Sequence, residues 1–146
     1  MALTLFEEIR EDHTLIRALL HELVSNPDTR DFRYISLKRE LAAHLHAEEA
    51  TLYTRLDGVL PEEIRRSRKE HDELRERLTN LDAIPLDTGE WVTQMKELVK
   101  QTEEHFANEE DVIFHQAQDH LNRFELSELG DNFEKVKGEV LQSSSI

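Results

Sequence analysis

Apolar residues recur three and four positions apart along almost the whole chain, and this period constrains the fold more than any other feature. The first stretch carries Phe6, Ile9, Ile16, Leu20 and Leu23, with His13 on the same seam. The second runs from about Phe32 to Leu56, with Leu37, Leu41, His44, Glu48 and Leu52 on one face. Ile64, Ser67, His71, Leu74, Leu78 and Leu81 mark the third, and Trp91, Met95, Leu98, Thr102, His105, Glu109 and Val112 the fourth. A shorter fifth stretch has Leu126, Leu129, Phe133, Val136 and Val140. Breakers fall between the stretches: Asn26-Pro27-Asp28, then Asp57-Gly58 before Pro61, then Ile84-Pro85 through Gly89. Pro61 suits a first helical turn. Only 4 Gly and 3 Pro punctuate 146 residues, and nothing alternates as a strand would. Long helices on short connections predict an all-α, antiparallel up-down four-helix bundle over about residues 3–118. An additional short C-terminal helix follows at about 124–140, within a single domain spanning 1–146. The tail from Leu141 to Ile146 reads as frayed.

Charge and cysteine usage narrow the setting. A formal net charge of -14 argues against nucleic acid and anionic membrane surfaces as partners. No apolar run is long enough to span a bilayer. Cysteine is absent, which excludes disulfides and thiolate metal sites and fits a reducing compartment. The N-terminus turns acidic within seven residues and lacks a signal-peptide pattern. A cytoplasmic location is the expectation.

Against this apolar pattern, the polar residues on the seams stand out. Each long helix places one histidine near its middle: His13, His44, His71 and His105. In an up-down bundle, helix midpoints lie at one level, so four imidazoles converge in one layer. His44 and His105 are each followed four residues later by a glutamate, Glu48 and Glu109, one turn along the same face. Buried carboxylates without partners are costly. Two cations would resolve the conflict, and mixed imidazole and carboxylate donors suit iron or manganese and also zinc. The layout is duplicated. The first and third helices give one histidine each; the second and fourth give His-x-x-x-Glu-Glu. The offsets are 58 and 61 residues.

These pieces resemble the hemerythrin-like family, the HHE cation-binding domain. The residues that carry the resemblance are Asp12-His13-Thr14-Leu15-Ile16, His44 to Glu49, Glu70-His71-Asp72-Glu73-Leu74 and His105 to Glu110. It covers about residues 5 to 118. The resemblance implies two iron ions in a non-haem di-iron centre with an oxo or hydroxo bridge. Glu48 and Glu109 would bridge, His13 and His44 would hold one iron, and His71 and His105 the other. The sequence also departs from the family pattern. Oxygen carriers have a further histidine one turn after the third-helix ligand, where this chain has Arg75; an arginine stays protonated and cannot ligate. Some relatives have a glutamate directly after the second-helix histidine, where this chain has Leu45.

Three functions fit. The first is a di-iron module that binds or senses dioxygen, a related small ligand, or iron. The second is a redox or stress-protection enzyme acting on peroxide, nitric oxide or ferrous iron. The third is a structural bundle with zinc or no metal. The first is preferred, because no general acid, nucleophile or substrate pocket is legible, which leaves catalysis unassigned. His21, His46, His115 and His120 share no seam with the four and read as surface or supporting residues. Glu49 and Glu110 rotate off the seam toward solvent. Ser67 and Thr102 either leave room at the metals or are merely tolerated in a helix; Trp91 and Met95 read as core. The fifth helix must bury its apolar face across the bundle or in a homodimer, and either way is expected to be dispensable for the metal ligands.

Overall fold

The computed structural model describes residues 3–143. Of the tail read as frayed, residues 141–143 close the last helix, and 144–146 lie outside the described residues. Helix α1 is Leu5–Ser25. Thr4 caps it: its hydroxyl accepts from the Glu7 amide while the Glu7 carboxylate accepts from the Thr4 amide, a reciprocal capping box. The chain then turns through a short 3-10 segment, Pro27–Thr29, into α2, Arg30–Glu48. Helix α3 is Pro61–Asp82, with proline in its first turn. Helix α4 is Gly89–Asn108, capped by the Thr88 hydroxyl on the Trp91 amide at 3.2 Å. Helix α5 is Arg123–Ser143, at 21 residues as long as α1 rather than short.

Two helices carry a local change of pitch. A π-helical turn, Glu49–Tyr53, follows α2, and another, Glu109–Ile113, follows α4. One begins directly after the seam glutamate Glu48, the other at the seam glutamate Glu109. A π turn takes more residues per revolution than an α turn, so it shifts the inward face. The seam therefore passes from Glu109 to Ile113, which is buried, and leaves Val112 39% exposed. The strict helical period had placed Val112 in the core.

The core is two apolar clusters on either side of the polar layer. One holds Leu5, Phe6, Ile9, Leu52, Leu56, Ile64, Ile113 and Phe114, with Phe133 from α5. The other holds Ile16, Leu20, Leu37, Leu41, Leu74, Trp91, Met95 and Leu98. Along each of α1 to α4 the chain passes from one cluster through a histidine to the other, in alternating direction, as an up-down bundle requires.

Helix α5 lies against α1 and α2. Its face Leu126, Leu129, Phe133 and Val136 covers the first cluster. Gly130 is what allows the approach: a Cβ there would lie 2.5 Å from the Leu3 carbonyl oxygen. Among the described residues no helix is long and apolar enough to cross a membrane.

Candidate metal centre

All six seam residues meet in one buried layer. His13, His44, His71, Glu48 and Glu109 are fully buried and His105 is 2% exposed. Their inward atoms form two groups that share the glutamates: His13, His44, Glu48 and Glu109, and Glu48, His71, His105 and Glu109. In the first group, His13 Nε2 is 3.2 Å from Glu109 Oε1 and His44 Nε2 is 3.3 Å from Glu48 Oε1. In the second, His71 Nε2 is 3.1 Å from Glu48 Oε1 and His105 Nε2 is 3.4 Å from Glu109 Oε2. The two oxygens of Glu109 thus face different histidine pairs.

Each imidazole turns its other nitrogen to a carboxylate. His13 Nδ1 meets Glu110 at 2.5 Å, His44 Nδ1 meets Asp12 at 2.9 Å, His71 Nδ1 meets Glu49 at 2.7 Å, and His105 Nδ1 meets Glu70 at 2.7 Å. A carboxylate at Nδ1 holds the proton there and aims the Nε2 lone pair into the layer. The expectation that Glu49 and Glu110 point to solvent is therefore wrong: they are 21% and 22% exposed and each orients a histidine. One π turn begins at Glu49 itself and the other at Glu109, the residue before Glu110, which keeps both acids on the inner side.

The duplication extends to the arginines. Arg17 and Arg75 each stand one turn after the histidine of α1 or α3. Arg17 reaches Glu110 at 3.3 Å, and Arg75 holds Glu49 at 2.8 Å and 2.9 Å. Arg75 thus occupies its position to clamp a histidine-orienting carboxylate. Arg17 also lies over the Phe106 ring, which stacks on His13 with centroids 3.7 Å apart. His21, His46, His115 and His120 are exposed and outside the layer. Thr102 returns its hydroxyl to the Leu98 carbonyl at 2.7 Å.

Charge coupling across the layer is strong. Burial works against ionisation at His44, His105 and Glu48. Even so, the Glu48 charge and the Asp12 hydrogen bond raise His44 to about 10, and the Glu109 charge raises His105. Burial likewise opposes ionised Glu48, yet the His44 charge holds it well below the usual carboxylate range. Glu49, also against the pull of burial, is lowered to about 2 by its bonds from His71 and Arg75.

Whether the donors fit cations is decided by what lacks a partner. His13 Nε2, His44 Nε2, Glu48 Oε2 and Glu109 Oε1 are buried without a hydrogen bond among the described residues. His71 Nε2 and His105 Nε2, both lone-pair atoms when their Nδ1 protons go to carboxylates, face each other at 3.0 Å. Only a proton or a cation between them relieves that contact. Nitrogen and oxygen donors of this type suit iron, manganese or zinc.

Two features of the centre were not drawn from the sequence. Tyr53 places its hydroxyl among the inward nitrogen and oxygen atoms; the π turn brings it there. Helix α5 also reaches the site: Phe133 lies edge-on to His44, and Lys137 binds the Asp12 carboxylate. The repeated acid-His pairs, Asp12-His13 and Glu70-His71, were the available signal for the orienting acids.

A sequence profile described as the Hemerythrin HHE cation binding domain matches residues 4–135. No curated protein matches the chain by sequence. Among solved structures, a crystal structure of a hemerythrin HHE cation binding domain-containing protein from Mycobacterium kansasii is similar, with a TM-score of 0.87 and 21% identity. The alignment covers 97% of this chain and 89% of that one.

Proposed function

The chain belongs to the hemerythrin HHE cation-binding domain family, and from that premise we propose that it holds two iron ions on His13, His44, Glu48, His71, His105 and Glu109. We infer that it uses them to bind or sense dioxygen or a related small ligand, or iron itself. The observation that carries the reading is the set of buried, unpartnered Nε2 and Oε atoms pointing into one layer, since such atoms are costly unless something positive satisfies them. Bound iron would supply a redox-active, ligand-binding pair of cations.

The chain's own residues supply the rest. Asp12, Glu49, Glu70 and Glu110 fix the imidazoles, and Arg17 and Arg75 fix two of those acids. Phe106 closes the His13 side. A cleft of about 150 Å³ beside His105 is lined by Glu70, Glu73, Leu74, Gln101 and Glu104. Its size admits a molecule of a few atoms, and its acidic rim favours a cation or a neutral ligand over an anion. The same rim supports the second reading, oxidation of ferrous iron, because it draws divalent cations toward His105.

The test is metal analysis and absorption spectra of full-length protein loaded with ferrous iron without oxygen, then exposed to air. Two irons per chain and a spectrum that reverses on deoxygenation support binding. Rapid turnover of added ferrous iron or peroxide moves the assignment to an enzyme. A colourless protein with one tightly held zinc and no second site refutes the di-iron reading.

A further inference from the structure

The duplicated halves match at nearly every ligand and orienting position, but one of the residues at which they differ is a phenol at the centre. An offset of 61 residues relates Glu48 to Glu109 and Glu49 to Glu110; the same offset relates Tyr53 to Phe114. Both lie at the far end of a π turn or directly after it. One half therefore brings a phenol to the centre, where the other has a hydrocarbon ring that stacks on Phe6 in the apolar cluster.

The Tyr53 hydroxyl lies among the inward donor atoms. It is 2.9 Å from His71 Nε2 and 3.4 Å from His105 Nε2, and it donates to Glu109 Oε2. The side chain is fully buried. Adjacent ligands around one cation, each about 2.1 Å from it, are about 3.0 Å apart when they meet at right angles. The separations between His71 and His105 (3.0 Å), His71 and Glu48 (3.1 Å), and Tyr53 and His71 (2.9 Å) all fall on that spacing. A hydroxyl that only supported the centre would approach an outer atom such as Nδ1. This one approaches the inner Nε2 atoms.

We propose that Tyr53 is a direct oxygen ligand to the cation held by His71 and His105, so that this position takes five protein residues and the His13/His44 position takes four. The proposal rests on the metal-binding reading above. Taken alone, burial and the charges of Glu109 and Glu48 keep the phenol protonated. A bound cation reverses that preference, since it favours the anionic form of its ligands; the phenol proton leaves as the cation binds.

The test uses full-length protein loaded with two equivalents of ferrous iron and oxidised in air. The readouts are iron content, the visible spectrum and resonance Raman scattering. The expected result is a visible phenolate-to-iron(III) charge-transfer band whose excitation enhances phenol ring modes. The chain has 2 tyrosines, and Tyr34 bonds to Asp82 in the other cluster at 2.8 Å. Tyr34→Phe should therefore keep the band, and Tyr53→Phe should lose it while still holding iron. Should Tyr53→Phe fail to fold, Tyr34→Phe protein grown on ring-deuterated tyrosine decides alone, because only Tyr53 can then shift the Raman modes. Two irons without the band overturn the proposal and leave the metal reading standing, as does a band that survives Tyr53→Phe. Protein that takes up no metal overturns both.

Discussion

Asp12 offers the sharpest test of how the centre is held. Its carboxylate is 7% exposed, accepts from His44 Nδ1 at 2.9 Å and pairs with Lys137 of α5. Asp12→Asn keeps an acceptor oxygen for His44 and removes the charge. Lys137 retains Glu40 at 3.2 Å, so the fold should survive. Losing a partner that orients a metal-bound histidine costs about 10–100-fold in metal affinity, which is about 1.4–2.7 kcal/mol. That loss should fall on the His13/His44 position, because no other imidazole touches Asp12. Asp12→Ala goes further. It leaves His44 Nδ1, fully buried, with no acceptor, which adds about 1–3 kcal/mol of destabilisation and several degrees of melting temperature. A competition titration against a coloured chelator reads the two affinities, and thermal unfolding with and without metal reads the stability. One weakened and one unchanged binding step is the expected outcome for Asp12→Asn. Two wild-type affinities in that variant, or equal loss of both in a folded protein, would refute the reasoning.

Other expectations follow from the same structure. Glu109→Ala removes oxygens that face both histidine pairs and should disturb both metals. His13→Ala should weaken one more than the other, and exposed His46→Ala should leave both intact; metal counts decide. Chelating the metal should lower the melting temperature, since free metal at 100 times its Kd stabilises by about 2.7 kcal/mol; an unchanged melting curve would contradict the linkage. Metal uptake at neutral pH should release protons, because His44, raised to about 10, is protonated there and must shed a proton to ligate. In the metal-free chain the sign runs the same way: the stability from His44 is complete below about 6.5 and lost as pH rises through about 10. Calorimetry in buffers of different ionisation heat measures the protons, and zero release at pH 7 would count against it. Gly130→Ala should destabilise by about 1–3 kcal/mol, because the three atoms nearest its Cβ are backbone of residues 3 to 5, within 2.9 Å; a wild-type melting temperature would show that α5 can shift freely.

Much of the fold was legible in the sequence, for a physical reason. The apolar period of three and four specifies one buried face per helix, and histidines on that face at matching heights can only converge. The six inward residues follow from the same logic, since residues four apart share a face. What periodicity cannot supply is the second nitrogen of each imidazole. His13 Nδ1 finds Glu110 and His71 Nδ1 finds Glu49 across 97 and 22 residues of chain, and a face assignment made one helix at a time sends both acids to solvent. The repeat does contain the pairing. Asp12 and Glu70 precede the histidines of α1 and α3, and Arg17 and Arg75 follow them by one turn, so one rule written twice describes both halves.

The π turns explain why the remaining residues were missed. A strict α period after Glu109 points Val112 inward, and after Glu48 it gives Tyr53 no reason to reach the centre. Widening one turn in each helix buries Ile113, exposes Val112 and brings Tyr53 alongside His71 and Glu109. The turns sit directly against the seam glutamates, where a π bulge is often found at functional sites, and the two copies make equivalent changes of pitch. The backbone is therefore nearly symmetric about the centre, while the side chains it delivers are not: Tyr53 reaches the inward atoms and Phe114 packs on Phe6. Inequality between the two proposed metal positions therefore has its source in such side chains and in α5, whose Phe133 and Lys137 meet His44 and Asp12.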